Sequence, residues 1–76
     1  MEMMALVTIV NEVLDESGRD VIENASRETQ LRADLGLDSL DLAVLTVKIE
    51  AEFGVDVFAK GIVNTVGEVL DRIDGR

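Results

Sequence analysis

Seventy-six residues without cysteine, histidine or proline allow one domain around one modest core. They exclude disulfide frameworks, Cys/His zinc centres and catalytic dyads or triads that depend on a histidine base or a cysteine nucleophile. Sixteen acidic against seven basic residues give a formal charge of −9, which is repelled by DNA and RNA phosphates and attracts proteins carrying basic patches.

The chain opens Met1-Glu2-Met3-Met4-Ala5-Leu6 with no basic stretch, and Asn11 and Glu12 interrupt the apolar run. The expectation is a cytoplasmic protein with neither a signal peptide nor a membrane-inserted segment. Leu6, Val10, Val13 and Leu14, joined by Met3 and Val7, recur at helical spacing until Ser17-Gly18, which predicts a first helix over approximately residues 3 to 17. Residues 18 to 37 show no sustained period. They read as a long loop pinned to the core by Val21, Ile22, Leu31, Leu35 and Leu37.

A second helix is predicted from Asp38 or Ser39 to Gly54, a glycine suited to ending it. At about 100° per residue, Leu42, Leu45, Ile49 and Phe53 form a core stripe, and Leu40, Val44, Val47 and Ala51 form a second apolar stripe roughly opposite. The second stripe is read as a partner contact surface, with burial of both stripes as the alternative. Val55-Asp56-Val57-Phe58 alternates as a strand would, but a lone strand has no partner. A turn and a short helix near Phe58 to Ile62 are predicted instead. Thr65-Val66-Gly67-Glu68 fits a capping box, and Val66, Val69, Leu70 and Ile73 line one face of a final helix. The predicted architecture is all-α, a small four-helix bundle of three main helices and one short helix with a long loop between helices one and two, forming a single domain over residues 1 to 76.

The most informative stretch is Asp34-Leu35-Gly36-Leu37-Asp38-Ser39-Leu40-Asp41. A glycine-kinked turn delivers one serine, flanked by carboxylates, to the first turn of the second helix, where its hydroxyl stays exposed on ordered backbone. With no histidine to act as base, that serine is suited to being modified and not to catalysis. Asp38 also suits the N-cap of the helix. The acids Asp34, Asp38 and Asp41 lack the spacing of an EF-hand loop, so no metal site is assigned. Asn24-Ala25-Ser26 fits a glycosylation sequon and is read as loop composition.

The string Asp34-Leu35-Gly36-x-Asp38-Ser39-Leu40, with Glu50-Ala51-Glu52-Phe53-Gly54 further on, resembles the acyl carrier protein family. The predicted order of elements matches that family over nearly the whole chain. The resemblance implies that Ser39 receives a 4′-phosphopantetheine arm from coenzyme A through a phosphopantetheinyl transferase. The arm's thiol would then hold acyl groups as thioesters for the acyl-transferring and chain-extending enzymes of fatty-acid, polyketide or related lipid synthesis. It implies a monomeric carrier that is not itself an enzyme. Partners with basic patches would dock on Asp38, Leu40, Asp41, Val44, Val47 and Glu50, while Leu45, Ile49, Phe53, Val10 and Leu70 would form the core or line the acyl chain.

Leu37 stands where peptidyl carriers commonly have a second glycine, so the motif looks more like an acyl carrier; a peptidyl or aminoacyl carrier is the alternative, followed by a helical interaction module in which Ser39 only caps a helix. A hydrolase reading of Asp38-Ser39-Leu40 fails for want of a histidine. Two departures from the family's habits point to a carrier dedicated to one pathway: Val44 replaces a common acid, and no carboxylate lies between Asp56 and Glu68, a stretch that includes Lys60.

Overall fold

A computed structural model describes residues 2–59, 61 and 63–75. Helix α1 (Glu2–Glu16) buries Leu6, Ile9, Val10, Val13 and Leu14 along one stripe. It ends in a Schellman arrangement. The Arg19 N–H donates to the Leu14 carbonyl at 2.8 Å and the Gly18 N–H to that of Asp15 at 3.1 Å, with Gly18 at φ 73°. Only a residue without Cβ adopts that conformation at little cost, which is why the helical pattern stops at this glycine.

Between α1 and helix α2 (Ser39–Phe53) the chain runs through turns tied to both neighbours. Asn11 holds the first part against α1: its amide donates to the Ile22 carbonyl and accepts from the Ile22 N–H, both at 2.8 Å. Further along, Gln30 forms an isolated antiparallel bridge with Thr65. The Leu31 N–H donates to the Asn64 carbonyl at 2.8 Å, and the N–H groups of Val66 and Gly67 donate to the carbonyls of Thr29 and Arg27, both at 2.9 Å. Two of the N–H groups that open helix α3 (Val66–Ile73) thus find partners in this segment. Leu31 and Leu37 are buried, and Ile22 and Leu35 pack against the core. Val21 is 57% exposed and does not pin the segment, contrary to expectation.

Helix α1 packs on both α2 and α3. Their shared core adds Leu42, Leu45 and Ile49 from α2, Val66, Val69 and Leu70 from α3, and Val57 and Val63 from the connection between them. The short helix expected over Phe58 to Ile62 is not seen among the described residues; Lys60 and Ile62 lie outside them. The Ala59 N–H reaches the Asp56 carbonyl and the Gly61 N–H that of Phe58, bonds of single turns. The Asp56 carboxylate accepts the Phe58 N–H at 3.1 Å, the bond of an Asx turn. Three helices are therefore described where four were expected, and no described helix is long and apolar enough to cross a membrane.

Candidate functional site

Ser39 is the first residue of α2 and is exposed. Three local devices put it there. Gly36 takes a left-handed conformation, φ 74°, which turns the chain into the motif. Leu37 is buried immediately after it and fixes the turn to the core. Asp38 then caps the helix, accepting the Asp41 N–H at 2.9 Å while the Asp41 carboxylate accepts the Asp38 N–H at 3.2 Å, a reciprocal capping box.

Asp41 does more than complete this box. It is 6% exposed, accepts a short hydrogen bond from the Ser17 hydroxyl, and accepts from Nε and Nη2 of Arg19 at 3.2 and 3.1 Å. Ser17, the Asp38 N–H and Arg19 together hold its carboxyl below the usual carboxylate range, against the opposing effect of burial. The end of α1 is thereby stapled to the start of α2 beside Ser39. Expected as a docking residue, Asp41 instead turns its charge inward, because those donors consume its acceptor sites.

The other expected docking residues lie on the outer side of α2. Leu40 is 72% and Val47 66% exposed, Glu50 and Asp38 are exposed, and Val44 is half-buried against the core. Asp38 also lies 3.7 Å from Arg19. Leu42, Leu45 and Ile49 are buried and Phe53 half-buried, so α2 carries one buried and one largely exposed apolar stripe. Val10, Leu45, Ile49 and Leu70 are core residues.

Beside Ser39 an open groove of about 670 Å³ runs between α2 and the connection to α3, bordered by Leu42, Ala43, Thr46 and Phe58. Arg32, seven residues before Ser39, stands at the same groove and donates Nη2 to Ser39 Oγ at 3.0 Å. Nothing in the sequence marked Arg32, which sits in a segment without periodicity. The other two serines are differently engaged: Ser17 donates to Asp41, and Ser26 sits in a turn with Thr29.

Residues 5–73 match the family model of the phosphopantetheine attachment site. The chain belongs to the phosphopantetheine-attachment family. It is also 46% identical over 50 residues to the mitochondrial acyl carrier protein of Saccharomyces cerevisiae, a match covering 63% of this chain and 40% of that protein. The chain thus spans about 40% of the length of that relative. Phosphopantetheine is the family's prosthetic group, and the site fits it: an exposed hydroxyl on a capped helix, a cation beside that hydroxyl for a phosphodiester, and an open groove with apolar walls alongside.

The carboxylates that tie these elements together set an acid limit on the fold. Asp41 is held low as described, and Glu68, which accepts the N–H groups of Asn64 and Thr65, is held low as well. In the unfolded chain they titrate near ~3.9 and ~4.3, so their contribution to stability is fully present above those values and is lost as pH falls through the lower folded ones. The urea midpoint should therefore drop below about pH 4, with a shallower acid slope for Asp41→Asn. Parallel slopes for the two proteins would show that Asp41 is not linked to stability.

Proposed function

We propose that this chain is an acyl carrier protein in which Ser39 bears the 4′-phosphopantetheine arm and partner enzymes perform all the chemistry. The observation that carries this reading is the Ser39 hydroxyl, exposed at the start of a doubly capped helix, next to Arg32 and at one end of the groove. The chain's part is presentation. The capping box and the Ser17, Arg19 and Asp41 staple fix the backbone that bears Ser39, so little conformational freedom remains to be lost when a transferase engages it. In that transfer Ser39 Oγ forms a bond to phosphorus, the phosphoanhydride bond of coenzyme A breaks with release of adenosine 3′,5′-bisphosphate, and the hydroxyl proton leaves to the transferase, whose Mg²⁺ offsets phosphate charge. When attached, the arm supplies a thiol that carries acyl groups as thioesters.

Partner docking falls to Leu40 and Val47 with Val44 at their edge, rimmed by Asp38 and Glu50. An apolar strip with acidic neighbours suits transferases and acyl-processing enzymes that carry basic patches. The absence of carboxylates between Asp56 and Glu68, and Val44 in place of a common acid, support a carrier dedicated to one lipid or polyketide pathway. A cytoplasmic, monomeric protein completes the reading, which cell fractionation and sedimentation velocity check.

Because the chain has no cysteine, any thiol it acquires belongs to the arm. After incubation with coenzyme A and a broad-specificity phosphopantetheinyl transferase, it should titrate with one thiol per molecule and then accept one acyl group that hydroxylamine releases. Failure to gain a thiol, or a thiol that no acyl-transferring enzyme can load, would overturn the carrier assignment.

A further inference from the structure

We infer that Arg32 clamps the phosphodiester at the root of the arm and so aims the arm along the groove bordered by Leu42, Thr46 and Phe58. This rests on the reading that Ser39 carries the arm. Arg32 Nη2 already lies 3.0 Å from Ser39 Oγ. Esterification makes that oxygen a poorer acceptor and puts two non-bridging phosphate oxygens, sharing one negative charge, just beyond it, where a forked guanidinium finds stronger partners after a small rotation.

The other cations with described contacts are committed elsewhere. Arg19 pairs with Asp41 and Asp38, at 3.1 and 3.7 Å. Arg27 pairs with Asp71 at 2.7 Å, Lys48 lies 3.6 and 3.4 Å from Glu12 and Glu16, and Arg72 donates to the Val57 carbonyl at 3.0 Å. Arg32 donates to an uncharged hydroxyl. The position needs a cation, because Asp38 precedes Ser39 and Asp56 stands at the groove, and both repel an added phosphodiester. The same placement gives the arm a direction. Arg32 and the groove share one side of Ser39, while Leu40 and Val47 form the exposed apolar stripe of α2. A phosphate drawn to Arg32 therefore starts the arm toward Thr46 and Phe58 and leaves the Leu40 and Val47 stripe free for partners.

The test uses the arm-bearing forms of the native chain, Arg32→Lys and Arg32→Gln. Intact mass first establishes that each carries one arm, and matching melting curves establish that each is folded, as expected for changes at an exposed residue. The ³¹P resonance of the phosphodiester is then followed as sodium chloride is added, together with isotope-filtered NOEs from the arm to Leu42, Thr46 and Phe58. In the native protein the ³¹P resonance should shift with salt as the pair is screened, and the NOEs should be present. Arg32→Lys should retain part of both, and Arg32→Gln should lose the salt response and most of the NOE intensity. An identical salt response and identical NOEs in all three would overturn the clamp while leaving the carrier reading intact. A chain that accepts no arm would fail at the mass measurement and remove both.

Discussion

Replacing Leu45 by alanine should unfold the bundle or leave it barely folded, whereas Val47→Ala, two residues along the same helix, should melt with the native chain. Leu45 is 0% exposed among side chains of all three helices, and Val47 is 66% exposed. Truncating a buried leucine removes transfer energy and leaves a cavity, at a cost of about 2–5 kcal/mol. Surface changes stay within about 0.5 kcal/mol. A chain of this size, without disulfide or metal, has roughly 3–5 kcal/mol of stability in all, so the first loss is comparable with the total. Thermal melts followed by circular dichroism separate the two outcomes. In partner assays Val47→Ala should nevertheless slow modification of Ser39 or acyl loading while the fold persists. A destabilising Val47→Ala beside a harmless Leu45→Ala would mean that the two stripes of α2 are exchanged.

The second large effect is expected at Gly67, within the first turn of α3. Glycine to alanine inside a helix ordinarily gains up to about 1 kcal/mol through helix propensity. Here a Cβ would stand 2.9 Å from the Arg27 carbonyl oxygen and 3.0 Å from the Arg27 Cβ. That carbonyl cannot easily retreat, since it accepts the Gly67 N–H at 2.9 Å and belongs to the ladder that joins residues 27–31 to α3. Overpacking of this kind costs about 1–3 kcal/mol. Gly67→Ala should therefore lower the urea midpoint despite its better helix propensity. An unchanged or raised midpoint would show that the segment carrying Arg27 yields freely.

What the sequence made legible was local. The end of α1 at Gly18, the Asp38 cap and the capping box of Thr65 and Glu68 each depend on residues within a turn of one another, and all three are present. The two stripes of α2 followed from helical periodicity alone. Long-range partners were not legible. Asp41 looked like a surface acid because its partners Ser17 and Arg19 lie 24 and 22 residues away, and no period connects them. Asn11 suggested only a break in an apolar run, yet it pins the loop through Ile22. Arg32 reaches Ser39 across the glycine turn, a contact that exists only once Gly36 has bent the chain. The stretch near Phe58 was not legible because Val55-Asp56-Val57-Phe58 alternates as a strand would and offers no helical period, and its described residues form single turns.

The central claim is that Ser39, alone among three serines, receives the arm, and intact-mass measurement tests it most directly. The native chain and Ser39→Ala are each incubated with coenzyme A and a phosphopantetheinyl transferase, and the modified peptide is then sequenced by tandem mass spectrometry. The account predicts one added phosphopantetheine on the native chain, borne by Ser39, and none on Ser39→Ala. An unmodified native chain, or an arm found on Ser17 or Ser26, would contradict it.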